Sequence, residues 1–211
     1  MYYEESLIYS IPTEKIGKRR KKNIMSEVLK TIAQRSSIRA YKKEALTEEE
    51  INSLITAGLQ APTAKNLQEV HISVLDGSNP ILAEIEKEKR AVLAADADEK
   101  GKEAILNNPD NFYYDAPMVF ILSADKDFYW NKLDAGISAE NIVLAAQSLG
   151  LGSLIIGVIR GALTGEKKEY FAEKLQFPEN YEFAIAVAVG HKDTEKAPHE
   201  IDFEKSVSFI K

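Results

Sequence analysis

The sequence predicts one α+β or α/β domain with about four strands and more helix than strand. Segments with helical periodicity alternate with short apolar runs of strand length, as they do in these fold classes. The chain has 211 residues, of which 45% are hydrophobic and 28% are charged, close to the globular average. A chain of this length buries a large core without needing a disulfide or a bound metal. A disordered or collagenous protein is therefore excluded.

The helical segments follow from periodicity and from capping signals. Thr47 and Glu50 form a capping box, which opens a helix that runs to residue 59. A helix at 135–149 has apolar residues around nearly its whole surface, which predicts a central helix buried on most sides. Gly150 ends that helix. Further helices are predicted at 26–35, 81–105 and 166–175.

Four runs have the length of strands. The run at 70–75 has an alternating character and closes at Asp76-Gly77, which is typical of a strand followed by a turn. The other three runs are apolar, as expected for buried strands. They lie at 118–122, 154–159 and 183–189.

Charge and composition exclude several function classes. The net charge is −6, with 27 Lys and Arg against 33 Asp and Glu, which argues against a general nucleic-acid binder. The absence of Cys excludes disulfides, thiolate catalysis and Cys-bound metals. No metal site is predicted, because the three His are far apart in the sequence. No run approaches the ~18 apolar residues of a membrane span, and no secretory signal is visible, so a cytoplasmic protein is predicted.

Residues 1–24 differ from the rest of the chain, because a basic cluster between Lys15 and Lys22 has no acidic residues to balance it. They are predicted to form an N-terminal basic arm or leader ahead of a domain at 25–211. One interpretation is a solvated arm, or residues upstream of a natural start at Met25. The other is an arm that wraps a partner subunit or docks on an anion.

Two Arg and two Ser follow the first predicted helix. Arg35 and Arg39 are four residues apart and are expected on one side of a helix end, with Ser36 and Ser37 between them. Guanidinium groups bind phosphate through two parallel hydrogen bonds, and hydroxyls supply further donors. These residues fit a phosphate monoester site. The alternative is a helix C-terminus at which the helix dipole favours Arg.

Two further segments could meet a flat ring. A loop at 61–68 carries polar groups that can bond a heteroaromatic edge, although an ordinary helix-to-strand loop is the alternative. A Gly-rich segment at 149–157 is neither a dinucleotide fingerprint nor a P-loop. Gly157 would let a ring approach the backbone closely, and the alternative is a helix cap with a tight turn. The loop residues of interest are Pro62, Thr63, Asn66 and Gln68.

The order of these motifs resembles that of the nitroreductase family of FMN-dependent enzymes. The resemblance covers about residues 26–205, nearly all of the chain beyond the basic arm. It is fairly specific, because five separate segments occur in the family's order. The segments are 35–39, 61–68, 114–117, 134–153 and 187–191.

The resemblance implies an α+β sandwich with a mixed central sheet flanked by helices. It also implies an intertwined homodimer with two FMN sites at its interface and the 135–149 helix in the dimer core. Three segments match those that hold FMN in the family. The segment that binds the phosphate and ribityl chain is matched by Arg35, Ser36, Ser37 and Arg39. The loop that reaches the flavin from the partner subunit is matched by Pro62, Thr63, Asn66 and Gln68. The backbone beside the flavin N5 edge is matched by Ile155, Ile156 and Gly157.

Two departures from the family's pattern concern the site. Glu69-Val70 stands where members often have Pro-Trp. The segment at 192–199 has no Arg, where members often have one that closes on the phosphate. Lys196 or His199 is expected to replace it, and surface positions for both residues are the alternative.

Substrate choice is expected to rest on residues 80–115, which match the family's variable lid segment. Phe112, Tyr113 and Tyr114 are candidates to stack on an aromatic acceptor, and packing in the core is the alternative.

The implied function is that of an FMN-dependent NAD(P)H oxidoreductase. In a ping-pong cycle, hydride passes from NADH or NADPH to flavin N5 and then to a nitroaromatic, quinone or similar conjugated acceptor. No catalytic side chain is predicted, because flavin N5 carries the chemistry. The alternatives are a dehalogenating or flavin-fragmenting relative, and an FMN carrier or sensor without turnover. The sequence selects neither NADH nor NADPH, and it does not identify the acceptor.

Overall fold

The computed structural model describes residues 26–210. The predicted basic arm at 1–24 lies outside the described residues. Eight α-helices and four strands make up the described part of the chain. The helices are α1 (Glu27–Gln34), α2 (Glu48–Leu59), α3 (Pro80–Ala95), α4 (Glu99–Leu106), α5 (Asn131–Ser148), α6 (Arg160–Leu163), α7 (Lys168–Lys174) and α8 (Phe203–Ser206). The strands are β1 (His71–Asp76), β2 (Met118–Asp125), β3 (Leu151–Ile156) and β4 (Tyr181–His191), and a 3-10 turn spans Ala64–Asn66.

The four strands form one sheet in the order β1-β2-β4-β3, and every neighbouring pair is antiparallel. The sheet separates two hydrophobic cores. One core lies between the sheet and α3, α6 and α7, and the other lies between the sheet and the helix pair α2 and α5. Strand β2 contributes side chains to both cores, because successive side chains point to opposite faces of the sheet. Val119 and Ile121 lie in the first core, and Phe120 and Leu122 lie in the second. The predicted α+β class and layered arrangement are confirmed.

Most predicted elements are present, with shifted bounds. The capping box holds in full: the Glu50 N–H donates to the Thr47 hydroxyl, and the Thr47 N–H donates to the Glu50 carboxylate. The helix-prone region predicted at 81–105 forms two helices. The first ends at Ala95, and the second begins where the Asp98 side chain accepts the Gly101 N–H and caps it. The strand predicted at 154–159 begins earlier, at Leu151, directly after Gly150.

The central helix α5 differs from expectation in one respect. Its apolar residues are largely buried as predicted, but it also carries a polar stripe of the buried Asp134 and Ser138 and the half-buried Asn141. These positions share one face, because their spacings of four and three residues match the helical repeat. The Ser138 hydroxyl donates to the Gly58 carbonyl at 2.9 Å, and the Asn141 amide donates to the Ala57 carbonyl at 3.0 Å. This stripe fixes the end of α2 on α5.

The segment that follows α1 is extended and lies beside the sheet. Ser37 forms an isolated parallel bridge with Ser153 of β3, and Tyr41 forms an antiparallel bridge with Lys192 just beyond β4. Gly190 allows this close approach. A Cβ at position 190 would lie 2.5 Å from the Pro117 ring and 2.9 Å from the Tyr41 ring.

We therefore expect Gly190→Ala to destabilise the fold by about 1–3 kcal/mol, because a rigid proline ring and a buried aromatic ring must move to admit the methyl group. Chemical denaturation measures the effect. Gly161→Ala is the matched control, since its methyl group meets the flexible end of Lys89 at 3.0 Å and Val92 Cγ1 at an ordinary contact distance of 3.4 Å. That control should change the stability by less than about 0.5 kcal/mol. Equal effects from both substitutions would contradict the close packing described at Gly190.

Candidate functional site

The predicted phosphate segment is held to the sheet by its backbone. The Ile38 N–H donates to the Ser153 carbonyl at 2.9 Å, and the Lys42 N–H donates to the His191 carbonyl at 2.9 Å. The helix-end geometry predicted for Arg35 and Arg39 is wrong, because α1 ends at Gln34 and the chain continues extended. In an extended chain, alternate residues share a side. Ser36 and Ile38 are accordingly buried, and the two Arg and Ser37 lie on the more exposed side.

The two guanidinium groups are available for an anion. Among residues 26–210, neither Arg35 nor Arg39 forms an ion pair. The Arg39 guanidinium lies 5.9 Å from the centre of the Tyr114 ring. Two cations without a carboxylate partner attract a doubly charged group such as a phosphate monoester.

The C-terminal candidates lie next to this segment. The Ser36 hydroxyl donates to the Ala197 carbonyl at 3.2 Å, and the Asp193 N–H donates to the Ala40 carbonyl at 3.0 Å. The residue before Ala197 is Lys196, so its backbone runs alongside the Arg segment. His199 is two residues further on and is exposed. The Ser36 hydroxyl therefore links the segment at 35–39 to the C-terminal segment. Ser37 is the better placed hydroxyl for a ligand, because it lies on the more exposed side.

The end of β3 offers an open surface close by. Ile155 and Gly157 are exposed, whereas the Ile156 side chain is buried in the core. A Cβ at Gly157 would meet only one atom within 4 Å, the Ile185 Cδ1 at 3.8 Å. A flat group can therefore reach the backbone here. Gly157 lies four residue steps along the strand from Ser153, a distance of about 13 Å, so a ligand that contacts both the bridged segment and the open strand end must be elongated.

The loop at 61–68 is held in an unusual backbone conformation. Lys65, Asn66 and Gln68 have φ values of 56°, 54° and 55°, in the left-handed region that costs non-glycine residues energy. Three hydrogen bonds maintain it. The Ala64 N–H donates to Asp134 Oδ2 at 2.8 Å, the Gln68 N–H donates to the Thr63 hydroxyl at 2.9 Å, and the Asn66 N–H donates to the Thr63 carbonyl at 2.9 Å.

The four loop residues predicted to contact a ligand differ in their exposure to solvent. Pro62, Asn66 and Gln68 are exposed, and Thr63 is half-buried with its hydroxyl engaged in the loop. No hydrogen bond or ion pair of the described residues joins this loop to the segment at 35–39. Hydrogen bonds within the chain therefore join 36–40 to Ser153 and to 193–197, whereas the loop at 62–68 is bound to Asp134 in the first turn of α5.

The three aromatic candidates also separate. Tyr113 is 4% exposed and packs in the core, so its ring does not face a ligand as predicted. Burial, and then the Glu86 carboxylate, raise the pKa of its hydroxyl, which stays neutral. Phe112 and Tyr114 are half-buried at the margin of the same core. Of the three candidate rings, Phe112 and Tyr114 are the two with a substantial exposed part.

Two acidic residues of this region were missed as site residues. Asp134 lies in the segment at 134–153 that carries part of the family resemblance. Its contact with the Ala64 N–H is not predicted, because hydrophobic periodicity does not show which loop a buried polar side chain will meet. Glu69 enters the sequence prediction only as a departure from the family's Pro-Trp pattern. It is 9% exposed, and among the described residues neither of its carboxylate oxygens has a hydrogen-bond donor.

Burial and the lack of a hydrogen-bond donor disfavour the charge on Glu69. Burial raises the pKa of the Glu69 carboxyl above its usual range, and the neighbouring Asp134 and Asp125 carboxylates raise it further. The Glu69 carboxyl thus neighbours Asp134, the residue that holds the loop.

Comparisons with known proteins give one consistent result. The model of the nitroreductase family matches residues 32–191. The chain is 30% identical over 178 residues to an NADPH-flavin oxidoreductase of Vibrio harveyi, covering 80% of this chain and 67% of that protein. It is 31% identical over 189 residues to an FMN reductase (NADPH) of Bacillus subtilis, covering 79% of this chain and 66% of that protein. The chain thus spans about two thirds of the length of these two relatives.

The fold also matches solved structures. A crystal structure of a nitroreductase with bound FMN from Desulfitobacterium hafniense superposes with a TM-score of 0.79 and 32% sequence identity, over 89% of this chain and all of that one. Within residues 26–210, no helix is long and apolar enough to cross a bilayer. The same residues contain no group of three or more His, Asp or Glu side chains arranged to hold a metal ion.

The raised pKa of Glu69 predicts a pH-dependent effect of Glu69→Gln. Below the ordinary value of 4.5 for this carboxyl, Glu69 is neutral in the folded and the unfolded chain. As the pH rises, the unfolded chain ionises first, so Glu69 destabilises the fold progressively until its raised folded pKa is passed. Gln cannot ionise, and its amide can donate to Asp134. The melting temperature of Glu69→Gln minus that of the wild type should therefore increase between pH 4.5 and 8.

Glu103→Gln is the control, because Glu103 is exposed on α4, and its difference from the wild type should stay nearly constant with pH. A Glu69→Gln difference that shrinks as the pH rises would show that Glu69 is ionised in the folded protein.

Proposed function

The chain belongs to the nitroreductase family, and from this membership we infer that it is an NAD(P)H-dependent flavin oxidoreductase with FMN as its bound cofactor. The observation that carries the proposal is the pair of guanidinium groups at Arg35 and Arg39, which form no ion pair within residues 26–210, on a segment fixed to β3, the strand that ends beside the open backbone at Gly157. The cations suit the phosphate of FMN and the open strand end suits a flat ring. The residues present therefore fit this cofactor.

We propose a division of roles among these residues. Arg35, Ser37 and Arg39 hold the phosphate from the outer side of the extended segment, and Lys196 adds a third cation from the adjacent C-terminal segment, with His199 as the alternative. Ser36 fixes the two segments to each other through Ala197. The backbone at 155–157 lies against the ring, where the exposed Ile155 side chain adds apolar surface.

FMN supplies reversible hydride acceptance at N5, so the protein's part is binding, orientation and electrostatics. We propose that NADH or NADPH and the electron acceptor use the same open face in turn, in a ping-pong cycle. The acceptor class is a nitroaromatic, a quinone or a similar conjugated molecule, which can lie flat against the ring. Phe112 and Tyr114 are proposed to contact it.

A homodimer completes the proposed site. Among the described residues, the loop carrying Asn66 and Gln68 is bound to Asp134 and has no hydrogen bond to Arg35 or Arg39, and we propose that a second copy brings the loop's polar groups to the ligand. Helix α1 supports this association, because it contacts α5 in its own chain but has no buried residue, and Val28, Leu29 and Ile32 stay exposed. An eight-residue helix is marginal in water and gains stability when its exposed apolar face packs on a partner. Light scattering on the purified chain measures the association directly.

The domain limits and the location complete the proposal. The functional domain is proposed to be 25–211, with residues 1–24 as a separate arm. The absence of Cys is in keeping with a cytoplasmic location, which fractionation of cells producing the chain tests.

The direct test of the function is a visible spectrum of the purified protein under anaerobic conditions. We expect a flavin spectrum that bleaches on addition of NADH or NADPH and returns on addition of a quinone or nitroarene. Initial rates at several acceptor concentrations should give parallel double-reciprocal lines, as a ping-pong cycle requires. Bound flavin that neither nucleotide reduces would favour a carrier or sensor, and a chain that takes up no FMN would overturn the proposal.

The phosphate assignment is tested by Arg39→Ala. A hydrogen bond to a charged group is worth about 1.5–3 kcal/mol, so FMN affinity should fall about tenfold to a hundredfold. In the wild type, FMN at 100 times its dissociation constant should stabilise the fold by about 2.7 kcal/mol, and at the same FMN concentration the variant should lose much of that gain.

Lys168→Ala is the control for Arg39→Ala, because Lys168 is an exposed cation on α7 that is paired with Glu169. Removal of Lys168 should leave FMN affinity unchanged. An Arg39→Ala protein with wild-type FMN affinity would show that Arg39 does not bind the phosphate.

A further inference from the structure

One side chain, Arg90 of α3, connects the separate parts of the segment at 105–115. Its Nε and Nη2 donate to the same Glu86 carboxylate oxygen at 2.8 and 2.6 Å. Its Nη1 donates to the Ile105 carbonyl in the last turn of α4, and its Nη2 donates to the Asp110 carbonyl at 2.8 Å. The Arg90 side chain is only 13% exposed, so these bonds are largely shielded from water.

The same guanidinium also contacts the next part of the segment. Its carbon lies 5.4 Å from the centre of the Phe112 ring, within cation–π range. Arg90 therefore contacts the end of α4, the loop after it and the first candidate aromatic residue. Glu86, 17% exposed, balances the charge, so Arg90 has no need of an external anion.

The turn after Phe112 is held by Asn111. The Asn111 side-chain oxygen accepts the Tyr113 N–H at 2.9 Å and the Asp115 N–H at 3.2 Å, and its amide donates to the Asp115 carboxylate. Tyr114 and Asp115 have φ values of 55° and 54°, which these bonds stabilise. This conformation holds the Tyr114 ring in the position where the Arg39 guanidinium lies 5.9 Å away.

We propose that Arg90 is a positioning residue that fixes the segment at 105–115 and so determines which acceptors the site takes. The assignment rests on the proposed function, since it requires that Arg39 marks the FMN site. Arg90 acts through Phe112 and Tyr114 and does not itself touch the acceptor. Arg90 needs both its charge and its planar, forked guanidinium for this role. The charge pairs with Glu86, and the fork directs N–H groups to the Ile105 and Asp110 carbonyls at fixed angles.

The test compares Arg90→Lys with the wild type. Lys keeps the positive charge beside Glu86, but its compact ammonium group cannot reproduce the planar fork that reaches both carbonyls. We use two acceptors of different size, benzoquinone and menadione. In a ping-pong cycle, kcat/KM for an acceptor reports only the half-reaction with that acceptor, so its ratio between the two quinones isolates acceptor fit.

We expect the kcat/KM ratio to change by about tenfold in Arg90→Lys, mostly through KM, because small displacements of positioning groups have effects of this size or larger. FMN occupancy should stay at the wild-type level. Hydrogen exchange should be faster at 105–115 in the variant and unchanged in β2. Lys102→Ala is the control, since Lys102 lies on α4 and pairs only with the exposed Glu99. It should alter neither the ratio nor the exchange.

An unchanged ratio in Arg90→Lys overturns the specificity assignment, and unchanged exchange at 105–115 overturns the positioning role itself. A wild-type chain without FMN or without quinone reduction overturns the proposed function, and the specificity assignment fails with it. The exchange measurement still decides the positioning role in that case. Loss of FMN from Arg90→Lys, with exchange raised throughout the chain, would show a general structural role and overturn the proposal.

Discussion

One face of helix α5 sets the position of the loop at 61–68. Asp134, Ser138 and Asn141 lie on this face and bind the Ala64 N–H and the carbonyls of Gly58 and Ala57. The two carbonyls belong to the end of α2, where the helix leaves its last carbonyls without internal partners. Buried backbone groups without partners cost more than a hydrogen bond gains. The opposite side of α5 packs on the sheet, so a single rigid helix relates the loop to the strands.

The phosphate segment depends on a different support. Backbone bonds join 38–42 to Ser153, His191 and Asp193, and the Ser36 hydroxyl donates to the Ala197 carbonyl, which fixes the segment to β3 and to the chain beyond β4. The two halves of the candidate site are therefore anchored to different elements of one chain. The division of anchors within one chain is thus the physical reason to expect that the site is shared.

The sequence predicted the class of the fold and most of its elements, because capping boxes, apolar runs and Gly turns are local signals. It also identified Arg35 and Arg39 as a pair, although for the wrong geometry, since extended and helical chains both bring these two residues to one side. Tyr113 was grouped with its neighbours because sequence does not show that a left-handed turn places its ring in the core. The roles of Asp134, Glu69 and Arg90 could not be predicted from periodicity, since each depends on contacts to backbone or acidic groups elsewhere in the chain.

Backbone strain in this fold is concentrated at the margins of the candidate site. Seven non-glycine residues among those described have positive φ, and five of them lie at 65–68 and 114–115. Each strained turn is held by a polar side chain of its own, Thr63 in the first and Asn111 in the second, and the buried Asp134 also binds the first turn at the Ala64 N–H. By contrast, Arg35 and Arg39 lie on relaxed extended chain. A strained turn relaxes unless its surroundings determine it completely, so these braces make the margins of the site stiff. We expect a stiff margin to select ligands by shape, whereas the proposed phosphate site at Arg35 and Arg39 requires only a suitably placed phosphate.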